Sequence, residues 1–390
     1  MPILNRVADL HADITAWRQD IHSNPELDYD LPRTSEKVRS LLESFGVDEI
    51  HTGIGKIGVV GLIHGRTRDS GRVVGLRADM DALPIKEATG KAYASTVEGK
   101  MHACGHDGHT SMLLGAARYL SETRDFDGTV AVIFQPAEEG GGGGKAMVDD
   151  GMMDRFGIQQ VYGMHNMPGM PVGQFGIRPG GFMASADEFQ INITGKGGHA
   201  AMPHTTIDPI IVGSQIVSAL QSIVARNVDP LKSGVLSVTQ FHAGDAHNVI
   251  PQTAFVGGTV RALDEEVRLF IKRRIGEVAE QTAALFGATA DYEYKDGYPV
   301  TANHSAETVI AADIAAEVVG EDNVDRDHPP LMGAEDFSYM LLERPGAFIF
   351  MGNGETAGLH HPEYDFNDEA IPVGVSYWAT LVSKLMPAAK

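Results

Sequence analysis

Three times in its first 170 residues the chain drives a short apolar run into a cluster of polar side chains. RVVGLR (72–77) runs into ADMDALP, TVAVIF (129–134) into QPAEE, and VYGM (161–164) into HN. Short apolar runs bounded by turn residues read as strands buried on both faces. Gly108 to Leu120 reads as a helix, with Leu113, Ala116, Ala117 and Leu120 on one face. Strands alternating with helices predict an α/β fold whose mainly parallel sheet is covered by helices. In such sheets ligands bind outside the carboxyl ends of the strands. Each strand here places its polar cluster at that end.

The pattern changes near Ala184. Glu188 to Thr194 alternates, with Phe189, Ile191 and Ile193 on one face, as a half-exposed strand does. A helix follows, with Ile216, Leu220, Ile223 and Val224 at helical spacing. Strands around Val235–Phe241 and Thr253–Arg261 come next, then a charged helix carrying Val267, Ile271, Ile275 and Val278. A last strand lies near Thr289–Tyr294. The order β-α-β-β-α-β is that of a ferredoxin-like unit. It predicts an inserted domain over 184–295, with 1–183 and 296–390 forming the first domain. A helix at Ala306–Val319, a strand at Ala347–Met351 and a helix near Asp368–Leu385 complete that domain.

A length of 390 residues suits this division. No apolar stretch approaches the length of a membrane span, and the N-terminus lacks the pattern of a signal peptide. The one cysteine, Cys104, excludes a disulfide framework and points to a reducing, cytoplasmic setting. Lys and Arg total 31 against 52 Asp and Glu, a net charge of -21. That balance argues against nucleic acid or an anionic membrane as partner, since both need clustered cations.

Four clusters, RADMDALP (77–84), MHACGHDGH (101–109), QPAEE (135–139) and GMHN (163–166), and a fifth, GLHHPEYDFND (358–368), gather thiol, imidazole and carboxylate groups. These are the usual ligands of zinc and related divalent metals. One catalytic metal needs about three protein ligands. The supply here exceeds that and favours two ions. The pair Glu138-Glu139 suits a division of labour, one carboxylate on metal and one free for proton transfer. Pro136 and the following glycines predict an irregular strand exit from which both can reach one cleft, with the glycine run acting as a flexible turn.

Ordinary readings compete with each residue taken alone. His51, His64, His304 and His328 are expected to be surface or satisfied core histidines. Cys104 alone would be a small buried hydrophobe, and Glu138-Glu139 alone a solvated surface pair. The joint occurrence at strand ends outweighs these. Gly140–Gly144 with Lys145 fails as a phosphate loop, because Glu139 stands where the first Gly belongs and Ala146 where Ser or Thr belongs. There is no G-x-S-x-G elbow, no set of cysteines for a zinc knuckle and no deaminase signature.

RADMDALPIKE, HACGHDGHT, QPAEEGGGGG, GKGGHAAMPH, NVIPQTAFVGGTVR, GAEDFS and LHHPEYDFND together resemble the aminoacylase and carboxypeptidase-type dinuclear metallohydrolases. The nearest branch holds hippurate hydrolases, bacterial N-acyl amino acid amidohydrolases and plant auxin-conjugate hydrolases. WRQDIHSNPEL (17–27) resembles the start of that branch, so the likeness covers essentially the whole chain.

The resemblance implies a two-metal catalytic domain and an inserted lid or dimerisation domain. Its metal ligands would be Cys104, His106, Glu139, His165 and His360. His360 and His361 are adjacent, and the L-H-x-P alignment selects the former. Glu138 would be the general base, taking a proton from water and giving it to the leaving amine. Asp81 would orient a ligand. His199 would steady the oxyanion in a neighbouring subunit's site, and Asn248, Arg261 and Gly333 would hold the substrate. Many relatives in the wider family begin the first motif with His and use a bridging Asp. Here Arg77-Ala78-Asp79 and the thiol of Cys104 stand instead, and Zn, Mn, Co and Ni all stay open. The implied reaction is hydrolysis of N-acyl amino acids by a homodimer, with a tetramer as the alternative. The competing functions are a dipeptidase or carboxypeptidase with the same machinery, and a non-catalytic binder of acyl amino acids.

Overall fold

The computed structural model describes residues 4–388. It divides into two compact units, one running up to Gly180 and resuming over Ala302–Pro329 and from Asp336 on, the other comprising Gly181–Thr301 with Pro330–Glu335. The return of Pro330–Glu335 to the second unit has no counterpart in the sequence-based division.

The first unit is built on an eight-stranded sheet. Its order is Glu49–Ile54, Gly58–His64, Thr129–Gln135, Val73–Asp79, Gln160–Pro168, Gly346–Gly354, Phe175–Gly176 and Val324–Asp325. The four central strands, from Thr129–Gln135 to Gly346–Gly354, are mutually parallel. They are buried along most of their length, as a sheet covered on both faces requires. The Gly58–His64 strand joins them antiparallel and forms a hairpin with Glu49–Ile54. This hairpin was not read from the sequence. Asp79 pairs with Gln135 and Arg77 with Gly163, so the three motif-bearing strands end at one edge. The helices Asn5–Ser23, His106–Thr123 and Ile371–Leu385 pack on one another. Their contact is close enough that a Cβ at Gly115 would lie 2.6 Å from Ile14 Cδ1. Burying Leu10, Ile14 and Ile21 of the first helix completely contributes roughly 1.5–3 kcal/mol per side chain.

The second unit runs β-α-β-β-α-β, through Ala186–Thr194, Pro209–Asn227, Gly234–His242, Thr253–Ala262, Glu265–Leu285 and Thr289–Tyr298. These four strands are antiparallel, with Ala186–Thr194 between Thr253–Ala262 and Thr289–Tyr298 and Gly234–His242 at the far edge. That is the arrangement of a ferredoxin-like unit. Phe189, Ile191 and Ile193 are buried while the residues between them are exposed, so one sheet face packs against the two helices. Asp208 and Asp264 cap those helices by accepting the Ile210 and Val267 N–H groups. Pro209–Asn227 is long and apolar enough to cross a membrane by length and composition. Its Val212, Ile216, Leu220 and Ile223 are instead buried in the core of this unit.

Candidate metal centre

The site grows from the turn after the Thr129–Gln135 strand. Pro136 offers no N–H to continue the ladder. Ala137 then takes the left-handed region at φ 53°, which reverses the chain. The Glu138 and Glu139 N–H groups donate to the two oxygens of Asp81, at 2.9 and 3.0 Å. Asp81 lies just past the neighbouring strand, so its carboxylate clamps the turn through two charge-assisted bonds. Its own carbonyl accepts from His106 Nδ1 at 2.8 Å. Asp81 therefore holds the carboxylate pair and one imidazole together. The glycine run is not a loose tether. A Cβ at Gly143 would lie 1.6 Å from Pro136 O, and one at Gly144 would lie 2.6 Å from Asp336 O.

Cys104 sits in the loop that enters the His106–Thr123 helix, and Gly105 at φ 93° makes the bend. His165 comes from the Gln160–Pro168 strand and places Nε2 3.3 Å from Cys104 Sγ. It donates Nδ1–H to the Asn166 carbonyl at 2.7 Å. His106 and His165 thus both spend Nδ1 on a backbone carbonyl, which leaves the Nε2 lone pair of each for a ligand. Glu139 Oε1 lies 3.3 Å from His360 Nε2 and 3.9 Å from His106 Nε2. His360 is held at φ 63°, and its N–H donates to the Ala103 carbonyl at 2.7 Å. His361 Nδ1 accepts the Glu363 N–H instead. Of the two histidines, His360 is the one beside Glu139.

These residues suit a cation. Ligand atoms of Cys104, His106 and His165 lie within 4.8 Å of one another, as do those of Cys104, Glu139 and His360, and of His106, Glu138 and Glu139. His106 Nε2 is buried with no hydrogen-bond partner among the described residues, and buried Glu139 Oε1 meets imidazole nitrogens of His360 and His106 only at 3.3 and 3.9 Å. Such orphaned atoms are costly unless something fills the gap. Burial pushes the Cys104 thiol up, and the carboxylates of Glu139, Glu138 and Asp79 push it further. Burial alone would lower His106, but Asp79, Asp81 and Glu139 carry it up to about 10, so a cation binding there would displace the proton from Nε2. The cluster is thus a buried pocket of negative potential, lined by the sulfur, nitrogen and oxygen donors that zinc-like ions take.

Support for the centre comes from residues to which the sequence reading gave no role. His109 falls within ligand range of Asp79 and His106. It gives Nδ1–H to Asp79 at 2.7 Å and receives the Asn166 N–H on Nε2 at 2.9 Å, so both nitrogens are spent. Asp79 also pairs with Arg77 at 2.7 Å, and Arg77 reaches Gln135 at 2.8 Å and Asp336 at 3.0 Å. Against its burial, His106, Arg77 and His109 hold the Asp79 carboxyl well below its ordinary range. Only the mixture of acids and bases within the motifs hinted at this second layer.

The other candidates lie in the second unit. His199 (in Gly198–His199) pairs with Val249, and the Ala200 N–H donates to the Asn248 carbonyl at 3.0 Å, so these two candidates are neighbours. His199 Nδ1 accepts the Ala201 N–H at 3.0 Å, which puts the ring proton on an exposed Nε2. Arg261 donates to Thr259 Oγ1 and the Val260 carbonyl and pairs with no carboxylate among the described residues. The Gly333 carbonyl accepts the Ala184 N–H, and a Cβ there would meet only Met183 Cε at 3.6 Å. His51, His64, His304 and His328 have partners away from the cluster: Glu49, Thr129, the Gly346 N–H and Asp325.

Residues 75–384 match the model of peptidase family M20/M25/M40. A hippurate hydrolase of Campylobacter jejuni is 41% identical over 386 residues, covering 99% of this chain and all of the relative. Thermostable carboxypeptidase 2 of Saccharolobus solfataricus is 38% identical over 97% of each chain. Among solved structures, a Bacillus subtilis protein described as a dinuclear metal binding peptidase of the M20 family is 37% identical. It superposes with a TM-score of 0.85 over 97% of this chain and 99% of its own. With a metal-competent cluster at the strand ends of the same fold, the chain belongs to peptidase family M20/M25/M40 and is an amidohydrolase.

Proposed function

We propose that the chain hydrolyses N-acyl amino acids, of the hippurate or N-acetyl kind, to a carboxylic acid and a free amino acid. The observation that carries this reading is the pair of triads, Cys104–His106–His165 and Cys104–Glu139–His360, that share one sulfur beside Glu138. Two divalent cations held there would polarise the amide carbonyl and make water acidic enough to ionise near neutrality. Zn, Mn, Co and Ni each suit part of the donor set.

Glu138 takes the proton of the attacking water. It delivers that proton to the amide nitrogen as the C–N bond breaks, so the amine leaves neutral. Asp81 keeps Glu138 and Glu139 on one side of the turn. His199, with its proton on Nε2, donates to the oxyanion from a second copy of the chain, in a homodimer. Arg261, whose fork meets no carboxylate among the described residues, takes the substrate carboxylate bidentately, and Asn248 and Gly333 flank it. A site that needs a thiolate suits the reducing cytoplasm.

The test is release of free amino acid from N-acetyl, N-benzoyl and indole-acetyl amino acids and from unblocked dipeptides. The enzyme is first stripped with chelator and reloaded with Zn, Mn, Co or Ni. Metal-restored cleavage of the acylated compounds is expected. Glu138→Gln should lower kcat by about 10²–10⁴-fold at unchanged metal content. Cleavage confined to dipeptides would move the substrate class to peptides, and near-normal turnover by Glu138→Gln would remove that residue from proton transfer.

A further inference from the structure

Three polar residues of the ligand-bearing motifs have no part in the chemistry above: Asn166 of GMHN, His109 of MHACGHDGH and Tyr364 of LHHPEYDFND. All three are buried, and they meet at Asn166. The Asn166 N–H donates to His109 Nε2 at 2.9 Å, and its carbonyl accepts from His165 Nδ1 at 2.7 Å. Its Nδ2 donates to the Cys104 carbonyl at 2.6 Å and lies 3.0 Å from His109 Nε2. Its Oδ1 accepts the Tyr364 hydroxyl at 2.7 Å. Both backbone groups and both amide atoms of this residue have partners, and two of these bonds act on the residues that carry Cys104 Sγ and His165 Nε2.

The orientation of the amide is not free. Flipped, it would set an oxygen 2.6 Å from the Cys104 carbonyl oxygen and turn its N–H₂ toward Tyr364. His109 cannot relax the arrangement, because its Nδ1 proton is committed to Asp79. A Cβ at Gly105 would lie 2.2 Å from Asn166 Nδ2 and 2.5 Å from Tyr364 Oη, so the loop closes directly over the amide.

We propose that Asn166 is the positioning residue of the metal centre, fixing the Cys104 loop and the His165 ring relative to each other before an ion arrives. This rests on reading the cluster as a metal site. Asn166 touches neither substrate nor ion; its effect passes through the two ligands. Residues that orient ligands in this way typically set about 10–100-fold in metal affinity.

The experiment uses the full chain, stripped of metal and titrated with Co(II) against a competing chelator, with the thiolate-to-cobalt charge-transfer absorption as second readout. Asn166→Asp keeps the shape but turns an oxygen toward the Cys104 carbonyl. It should weaken Co(II) binding about 10–100-fold and diminish the charge-transfer band. Tyr364→Phe removes only the hydroxyl that orients the amide and should shift both readouts the same way by less. A lowered melting temperature of the metal-free variants with wild-type Co(II) affinity and spectrum would mean a merely structural role and overturn the proposal. If Asn166→Asp does not fold, Tyr364→Phe decides alone, and unchanged affinity in it counts against the proposal. Absence of Co(II) binding by the wild type would be a separate failure, that of the metal-site reading itself.

Discussion

At Asp81 a buried carboxylate meets two backbone N–H groups while the residue's own carbonyl takes the His106 proton. Asparagine has the same shape but only one acceptor oxygen. In Asp81→Asn either Glu138 N–H or Glu139 N–H would face an N–H₂ group in a buried place. Leaving such a donor unsatisfied costs about 1–3 kcal/mol. We expect a lower melting temperature together with weaker metal retention, measured by thermal unfolding and by metal content after dialysis; retention of both at wild-type values would show that the clamp is unimportant. That thiol, imidazole and carboxylate groups gather at strand ends as a candidate metal cluster was legible in the motifs, and the resemblance named Cys104, His106, Glu139, His165 and His360 within it. Their fixings were not legible. The partners of His106 and His165 are backbone carbonyls, which any residue could supply. Asn166 meets Tyr364 across 198 positions of sequence, a separation at which no local pattern survives.

The element that decides the site is the turn from Gln135 into the Gly143–Asp149 helix. The sequence announces the break through Pro136 and the glycine run. It does not announce the packing, since glycines serve loose linkers and tight turns alike. Gly143→Ala would force a Cβ onto the Pro136 carbonyl, which is backbone and cannot rotate away. The turn carrying Glu138 and Glu139 must then shift. We expect Gly143→Ala to lower turnover of acylated substrate at least 10²-fold, the scale on which a misplacement of about 1 Å acts. Gly358→Ala is the control, because a Cβ there meets nothing within 4 Å; equal activity in the two variants would show that the turn tolerates displacement. The regular elements were legible for the opposite reason. Each central strand is a continuous apolar run, and the second unit's strand alternates. The Glu49–Ile54 hairpin and the two-residue pairing of His199 with Val249 escaped, the first for its mixed exposure and the second for being too short to show a period.

On the scale of the whole molecule, a buried ionic network ties the beginning of the chain to its end within the first unit. Arg18 pairs with Asp368 at 2.8 Å and approaches Asp107 at 3.5 Å, and its guanidinium lies over the Tyr93 ring. His22 donates to Asp107 at 2.8 Å and lies 3.3 Å from Glu87. The His102 ring lies nearby, tilted against that of His22, and burial pushes it down to about 3, so it stays neutral. Burial would lower His22 as well, but Asp107 and Glu87 overcome it and raise it to about 9 from an ordinary 6.5. A histidine raised on folding stabilises the native state fully below its unfolded value and loses that contribution as pH climbs through its folded value. The contribution of His22 is therefore complete below about pH 6.5 and gone above about pH 9, and is on the order of 3 kcal/mol. The neutral variant His22→Gln has no such dependence. We expect the melting temperature of the wild type to exceed that of His22→Gln most at pH 6 and the gap to narrow steadily toward pH 9.5. Because Asp107 follows His106 directly, its pairing with His22 also bears on the start of the helix that carries this candidate ligand. A gap that stayed constant across the range would mean that His22 is neutral in the folded protein and that Arg18 alone balances Asp107.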